Sequence, residues 1–420
     1  MRENKLYYGW INLIIIWVEN FLCTAPLFYA FGVIINDMAA DVGMTMTVAT
    51  GAYTVETVVY SLIAPLHGRF VIRFGTRPSF QVGLGLGALA CLGFALLRRS
   101  VPVYYLLWIV PMSLCLRFSG AFCCQVTVSK WFLRHRGTAL GIFFASGGIG
   151  GYVFTPLLTR LAAGYSWHSV WLFFAAAYAV SFLLMFFYRE TPDAGSAELQ
   201  PIPDSQSHHG PRRTTRDWTA GQALKNGGFY ISLLFFILSQ FLLYAVCNTG
   251  ITYLSDSGIS VSVAAGAVAM FSLVSIAGRL LAGGVADSLG TKAPILLGCL
   301  LSLAGMLLTG AVSSTAGVYL ALTVSGLGYG FIIVAPINML MDYFGSFDYA
   351  DIVSWYSLIG GCAVSLLPVI FGHVYDSFAS YDLVWTIGVV LSAVCLAAAF
   401  FIRPPGGYEA GSVSSKGVSK

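Results

Sequence analysis

The chain has 420 residues, of which 57% are hydrophobic and only 10% are charged, and its formal net charge is +4. Soluble domains carry about 25% charged residues, so this composition excludes a water-soluble globular domain. Disordered chains and nucleic-acid-binding proteins need more charge than this sequence has, so they are excluded too. The nine cysteines lie in apolar runs without a C-x-x-C pair, so neither disulfides nor a metal site are expected.

Apolar runs long enough to cross a bilayer, about 20 residues each, recur along the whole chain. They predict an all-α polytopic membrane protein with 12 transmembrane helices in two pseudo-symmetric halves of six. The predicted spans are residues 8–36, 46–68, 78–97, 102–129, 137–163, 167–188, 228–254, 260–284, 293–312, 316–341, 350–374 and 382–402.

A polar stretch that could not cross a bilayer divides these helices into two groups of six. It contains four prolines and several basic residues, which is typical of a linker. The predicted organisation is an N-terminal half at 1–188, a cytoplasmic linker at 189–226, a C-terminal half at 227–403 and a flexible cytoplasmic tail at 404–420.

Basic residues are concentrated in the loops on one side of this arrangement, which orients the protein in the membrane. The basic loop residues on that side are Arg2, Lys5, Arg69, Arg73, Arg77, Lys130, Arg134, Arg136, Arg189, Arg212, Arg213, Arg216 and Lys225. We therefore expect a multi-pass cell (inner) membrane protein with both termini in the cytoplasm. The loop between helices 10 and 11 departs from this pattern, because it carries Asp342, Asp348 and Asp351 and no basic residue.

One loop motif occurs twice, 215 residues apart, at Gly68–Arg77 and at Gly283–Lys292. Matching landmarks in two groups of six helices predict a pseudo-twofold axis along the membrane normal. Such an arrangement favours a substrate site near the middle of the bilayer, between halves that rock to give alternating access.

The repeated loop resembles the signature of the major facilitator superfamily, G-x-x-x-D-x-x-G-x-[RK]. The second copy fits the signature, whereas the first has Ile72 at the position of the acid. The resemblance implies a cytoplasmic gate, in which Asp287 matters more than Ile72. The predicted gate residues are Gly68, Arg73, Gly75, Arg77, Gly283, Asp287 and Gly290.

Three stretches resemble the monocarboxylate transporter and oxalate/formate antiporter branch of this superfamily. They are Tyr7–Trp10, Trp131–Gly141 and Arg279–Gly283. The resemblance implies that Arg279 binds a substrate carboxylate, and a guanidinium suits that role because its planar donors match a carboxylate. Two positions depart from the branch: Ser275 replaces an aspartate one turn before the arginine, and Tyr29 replaces the helix 1 lysine of animal monocarboxylate transporters.

Most ionisable residues fall in loops or near the ends of the predicted spans, and the clear intramembrane ones are Glu19, Glu56, Arg117 and Arg279. An ion at the bilayer centre costs at least about 2.5–3.5 kcal/mol, so each must pair, titrate or meet water and a ligand. We expect Arg117 to pair with one acid and to contribute to substrate binding, and the other acid to couple transport to protons. The alternatives are a static ion pair, and for Arg279 a side chain that reaches the cytoplasmic interface.

Further candidates for substrate binding follow from polar residues on the predicted cavity helices: Tyr29, Tyr244, Asn248, Ser275, Tyr329 and Ser357. Hydrogen bonds that pack helices together explain such residues equally well.

The leading hypothesis is a secondary active transporter of a small organic anion, a monocarboxylate, by proton symport or anion exchange. It needs no cofactor or metal, works as a monomer in the lipid bilayer and binds no nucleic acid. Two alternatives are an exporter of an amphipathic compound and a membrane sensor that uses a transporter fold. An enzyme is not expected, because the sequence has no nucleophile elbow, metal cluster or phosphate-binding loop.

Overall fold

The computed structural model describes residues 7–24, 34–35, 37–98, 100–132, 135–192, 218–311, 314–345, 347–378 and 380–402. Within these ranges the secondary structure is helical. The first group of helices comprises α1 (Tyr8–Cys23), α2 (Met46–Leu62 and Ala64–Phe74), α3 (Thr76–Ala95), α4 (Val101–Trp131), α5 (Arg136–Gly164) and α6 (Trp167–Leu184). The second comprises α7 (Gly227–Asp256), α8 (Val261–Leu289), α9 (Lys292–Ala311), α10 (Thr315–Phe344), α11 (Tyr349–Ser365 and Leu367–Phe378) and α12 (Asp382–Phe400).

Ten of the described helices are long and apolar enough to cross a membrane. Helix α2 makes eleven if its two parts, which are bent by 50°, form one span, and α1 is a shorter apolar helix. The predicted all-α polytopic class is therefore confirmed. The predicted first span reached residue 36, and residues 25–33 lie outside the described ranges, as do the tail from 403 and most of the linker.

The repeated loop motif gives the same backbone turn in both halves. Gly75, between α2 and α3, has φ of 93°, and Gly290, between α8 and α9, has φ of 80°. L-residues with side chains rarely adopt positive φ, so glycine allows each helix to end and the next to begin at once.

Both turns lie at one end of the molecule, which we call the basic face. The basic face is defined by Arg69, Arg73, Arg77, Lys130, Arg136 and Arg189 in the first half. The short helix Ala220–Ala223 also lies there, because the backbone N–H of Ala220 donates to Asp348 just before α11.

The two halves meet along two pairs of helices, α5 with α8 and α2 with α11. Glycines bring the backbones close together in both: a Cβ on Gly283 would lie 2.2 Å from the Gly137 carbonyl oxygen, and one on Gly68 would lie 2.6 Å from Ser354 Oγ. These contacts lie towards the basic face. They close that end of the boundary between the halves.

Candidate functional site

Arg279 lies on α8 at the boundary between the halves and is 8% exposed. Its Nη1 donates a hydrogen bond of 2.7 Å to the carbonyl oxygen of Phe144, on α5 of the other half. Its guanidinium carbon lies 5.4 Å from the centre of the Tyr329 ring of α10. Within the described residues, Nε has no hydrogen-bond acceptor and no carboxylate pairs with this cation. A buried guanidinium without an acid is therefore placed between the halves.

Helices α1 and α5 of the first half complete the surroundings of Arg279. Asn20 Nδ2 donates to Ser146 Oγ at 2.6 Å, and a Cβ built on Gly147 would lie 3.8 Å from that nitrogen and 3.5 Å from Arg279 Nη1. Asn20 begins a π-helical segment, Asn20–Thr24, and such segments are frequent at functional sites. The sequence analysis did not select Asn20. The sequence feature that could have identified Asn20 is its position as a polar residue next to Glu19 in a largely apolar helix.

The other proposed substrate-binding residues are distributed unevenly around this point. Tyr329 lies under Arg279, whereas Ser275 Oγ donates to the Ser272 carbonyl of its own helix at 2.7 Å. Tyr244 and Ser357 are half-buried, and Asn248 is exposed. Tyr29 lies outside the described residues. Only Tyr329 is thus brought into direct contact with the Arg279 guanidinium.

Arg117 is fully buried in the first half, and the expected ion pair with Glu19 or Glu56 is wrong. Its Nε donates to His67 Nδ1 at 3.3 Å, and its guanidinium lies over the rings of Tyr60 and Phe122 at 5.0 and 4.8 Å. Nη1 and Nη2 have no acceptor among the described residues. A histidine and two aromatic rings surround the cation because α2 turns His67 and Tyr60 towards α4.

The His67 tautomer follows from its neighbours. Nδ1 accepts from Arg117, and Nε2 lies 2.7 Å from Ser79 Oγ, which itself donates to the Phe118 carbonyl oxygen at 2.8 Å. Nε2 must therefore carry the proton and donate to Ser79. His67 is a neutral acceptor for Arg117, so it does not cancel the charge of the cation.

Both candidate proton-coupling acids are buried within the first half. Glu56 is 3% exposed, and its Oε2 accepts a hydrogen bond of 3.3 Å from Thr57 Oγ1. Glu19 is fully buried and lies close enough to Cys23 and Cys124 for electrostatic interaction. Glu19 therefore lies near α4 within the first half, whereas its neighbour Asn20 faces the boundary.

Asp287 connects the two halves at the basic face. Its Oδ1 accepts from the backbone N–H of Gly137 at 2.7 Å, and its Oδ2 accepts from the N–H and the hydroxyl of Thr138, both at 2.7 Å. A carboxylate at the start of α5 meets unsatisfied N–H groups and the positive end of the helix dipole. The acid of the second loop motif therefore caps a helix of the opposite half.

A buried ion pair between Arg136 and Asp342 strengthens the same boundary. Arg136 begins α5, and Asp342 lies near the end of α10, with exposed side-chain fractions of 8% and 3%. The sequence analysis missed this pair. The sequence feature that could have identified it is the acidic loop between helices 10 and 11, which is the exception to the basic loops on that side.

The acid that meets the first copy of the loop motif, Glu190, belongs to the same half as that copy. Glu190 accepts hydrogen bonds from Lys130 at 2.7 Å and from the backbone N–H groups of Thr76 and Arg77. Burial would raise the pKa of the Glu190 carboxyl, but these hydrogen bonds lower its pKa below the ordinary value.

Among the described residues, the other predicted gate residues of this copy form no ion pair with a carboxylate of the second half. Arg73 is exposed over the ring of Phe74, and Arg77 donates to the Phe186 carbonyl oxygen at 3.1 Å. Ile72 is 57% exposed. Gly68 alone approaches the other half, at α11.

Metal coordination has no basis in the ranges that the structure describes. No group of three or more His, Cys, Asp or Glu side chains there is placed to hold a metal ion.

Comparisons with known proteins agree with this architecture. The family model described as Major Facilitator Superfamily matches residues 20–254 and 244–417. The fold is similar to that of the crystal structure of FucP, a major facilitator superfamily transporter in the outward conformation. The TM-score is 0.68 at 14% identity, over 94% of this chain and 99% of FucP.

Several curated relatives match this chain at 22–26% identity, over part of their own length. A glycerol-3-phosphate transporter of Bacillus subtilis is 26% identical over 66% of this chain and 66% of its own length. A fujikurins efflux protein of Gibberella fujikuroi is 23% identical over 73% and 58%, and an oxalate:formate antiporter of Oxalobacter formigenes is 22% identical over 62% and 60%. Each match spans less than two thirds of the relative. The family model covers nearly the whole chain, which therefore belongs to the major facilitator superfamily and is a multi-pass membrane protein.

Proposed function

We propose that this protein is a transporter that carries a small organic anion, a monocarboxylate in the simplest case, by alternating access. The observation that carries the proposal is Arg279, a buried guanidinium at the boundary between the halves with no acid beside it. An unpaired buried cation costs several kcal/mol, and an anionic substrate removes that cost on binding. Binding of an anionic substrate explains why a residue that is so unfavourable to bury lies here, whereas helix packing does not.

The geometry of Arg279 suits a carboxylate in particular. Nη1 is occupied by Phe144, and Nε is buried without an acceptor among the described residues, so the edge formed by Nε and Nη2 is the one that a ligand would meet. That edge presents two parallel N–H groups, and a carboxylate accepts both at once. Asn20 lies on the other side of Gly147 and offers a neutral amide to the remainder of a small substrate.

Two relatives support an anionic substrate through what they are named for: glycerol 3-phosphate in one, and oxalate and formate in the other. The efflux relative is named for a different kind of cargo. A small anion is therefore the class that agrees with both the site and two of the relatives.

Glu56 is the stronger candidate for proton coupling. It is buried and accepts a hydrogen bond from the neutral hydroxyl of Thr57, so we propose that it carries a proton while the basic face is closed. Release of that proton on the other side of the membrane would couple anion entry to proton flow. Anion exchange is the competing mode, and it needs no protonation change at Glu56. The positive-inside rule supports a cytoplasmic location for the basic face and the termini. We further propose that the protein works as a monomer.

Thermal stability of the purified protein tests the substrate class, because a ligand that binds only the folded state raises its stability. We expect short monocarboxylates to raise the melting temperature and matched amides to leave it unchanged. Phosphate esters and dicarboxylates serve as the alternative anions. Arg279→Lys keeps the charge but loses the two-donor edge, so it should weaken carboxylate binding about tenfold or more. Normal carboxylate binding by both Arg279→Lys and Arg279→Gln would disprove the proposal.

Proteoliposomes separate the two modes of coupling. For proton symport, uptake rises as the external pH falls, and Glu56→Gln loses that dependence while counterflow exchange survives. The matched variant Glu19→Gln tests the other acid. Uptake that ignores a proton gradient but responds to a counter-loaded anion would identify an exchanger.

A further inference from the structure

Arg279 is oriented by a group from the opposite half. Its hydrogen bond to a backbone oxygen, 2.7 Å from Nη1 to Phe144 O, crosses the boundary from α8 to α5. From its own half, the guanidinium meets the flat ring of Tyr329, with 5.4 Å between the guanidinium carbon and the ring centre. The face of a ring fixes the distance of the guanidinium from the ring, but it leaves the guanidinium free to rotate in its own plane. The Phe144 carbonyl therefore fixes which edge of the guanidinium is presented.

Two glycines make this contact possible. A Cβ on Gly147 would lie 3.5 Å from Arg279 Nη1, and a Cβ on Gly148 would lie 3.6 Å from it. Alanine would only touch the guanidinium at position 147, whereas a branched side chain would occupy its place. Access of Arg279 to the Phe144 carbonyl thus depends on the bare backbone of α5 at this level.

The contact exists only while α5 and α8 are closed towards the basic face. At the level of Gly141, a Cβ would lie 2.6 Å from the carbonyl oxygen of Arg279, so the two backbones touch one helical turn from the Phe144 contact. Asp287 fastens the same pair of helices at their ends. Opening of the basic face must separate α5 from α8, and the Phe144 oxygen then moves away from Arg279.

We propose that the Phe144 carbonyl is a positioning group that prepares Arg279 for anion binding in the state closed at the basic face. In that state the Nε and Nη2 edge is held in one orientation before the anion arrives, so binding loses less conformational freedom. In the state open at the basic face, the guanidinium has to be ordered by the anion itself. The protein therefore binds the anion more tightly from the opposite face and releases it at the basic face. This inference rests on the proposed function, because it assigns an affinity difference to the same Arg279 site.

The affinity of the two states is measured in a background in which the native cysteines are replaced. Ser61→Cys with Gly361→Cys holds the basic face closed by a disulfide, since a Cβ on Gly361 would lie 3.0 Å from Ser61 Cβ. Asp287→Asn, without the disulfide, shifts the protein towards the open state. Calorimetry with acetate, propionate and butyrate should give a dissociation constant at least about tenfold lower for the disulfide form, the value expected for one hydrogen bond to a charged group. Reduction of the disulfide should return the affinity of the paired-cysteine variant towards that of its unlinked background.

Substitutions at Gly147 test the contact between Arg279 and the Phe144 carbonyl while Arg279 itself is retained. Gly147→Val should weaken carboxylate binding about tenfold, and Gly147→Ala should have a smaller effect. Gly284→Val is the matched control, because a Cβ at that glycine of α8 would meet nothing within 4 Å. In an Arg279→Lys background the Gly147→Val effect should largely disappear, since a lysine has no edge to orient. Simple blockage of the cavity would give the same loss in both backgrounds.

The outcomes separate the inference from the proposed function. A tighter closed state together with a Gly147→Val effect that depends on Arg279 supports the positioning role. Equal affinities in both states, with binding that still requires Arg279, overturn the positioning role and leave the proposed function intact. Equal Gly147→Val losses in both backgrounds also overturn it. Binding that does not require Arg279 overturns both.

Discussion

The two boundaries between the halves, α5 with α8 and α2 with α11, are related by the internal repeat but closed by different chemistry. In the first, Asp287 accepts three hydrogen bonds from the start of α5, and Arg136 pairs with Asp342. In the second, closure comes from small residues in contact, such as Gly68 against Ser354.

The difference follows from one position of the loop motif. Asp287 reaches across the boundary, whereas its counterpart Ile72 is exposed and cannot accept a hydrogen bond. Of the acids before and within the first turn of α11, Asp348 accepts from the linker at Ala220. Asp351 lies near the charge of Arg69 across this second boundary, but no ion pair joins them among the described residues. An approximately symmetric fold therefore has a polar boundary and a packed one. We expect the polar boundary to control opening.

The largest expected effect comes from breaking the buried ion pair. Asp342→Asn leaves Arg136 buried without its carboxylate, which typically costs about 3–5 kcal/mol. The melting temperature in detergent should fall strongly. The double variant Arg136→Gln with Asp342→Asn removes both charges and should be clearly milder. A single variant as stable as the double variant would show that the pair contributes little.

The next effect concerns the capping carboxylate. Asp287→Asn removes the charge that meets three donors, a loss of about 1.5–3 kcal/mol for hydrogen bonds to a charged group. The ratio of closed to open molecules should fall about tenfold or more, measured as thiol-reagent accessibility of cysteines on each face. Ile72→Asn is the matched control at the equivalent position and should leave accessibility unchanged. Similar shifts in both variants would remove the distinction between the two boundaries.

Glycine substitutions distinguish the two boundaries by the atoms that an added Cβ would meet. An alanine at Gly283 would place its Cβ 2.2 Å from a backbone oxygen, whereas one at Gly68 would meet the side chain of Ser354, 2.6 Å from its Oγ. Each should cost about 1–3 kcal/mol through overpacking. Ser354→Gly should restore much of the stability of Gly68→Ala. No side-chain substitution at Gly137 can rescue Gly283→Ala, because the obstacle there is the backbone. Rescue of Gly283→Ala by a partner substitution would contradict this.

The smallest expected effect lies within the first half, at Glu190. Its pKa in the folded protein lies below the ordinary value of about 4.3, so its contribution to stability is complete at neutral pH. That contribution disappears as the pH falls below about 4 through the lowered pKa. Glu190→Gln should therefore lose about 1 kcal/mol at pH 7 and show a flatter loss of stability under acid. Parallel pH profiles for parent and variant would exclude this role.

Much of the fold could be predicted from the sequence, because bilayer-length apolar runs and a repeated loop are local signals. The position of Arg279 followed from its motif, and Asp287 from the repeat. Contacts between distant helices had no such signal. Arg117 was expected to meet an acid, but the rotation of α2 places His67 there, and helical spacing alone does not determine which helix a face meets. Phe144 and Gly147 could not be selected as site residues, because a backbone carbonyl and a missing side chain have no polar signature. Asn20 is polar, but its sequence position does not show that it faces the boundary between the halves.

Distances between spin labels on the basic face test the central claim most directly, that Arg279 binds the anion in the state that is closed there. One pair, His135→Cys with Ser288→Cys, reports on α5 and α8, and the other, Ile72→Cys with Phe347→Cys, reports on α2 and α11; all four positions are exposed. We predict that a bound carboxylate increases the population of the short distance at both pairs, because it binds the closed state more tightly, and that Arg279→Gln abolishes this response. An unchanged distribution in the parent protein, or an equal response in Arg279→Gln, would contradict the account.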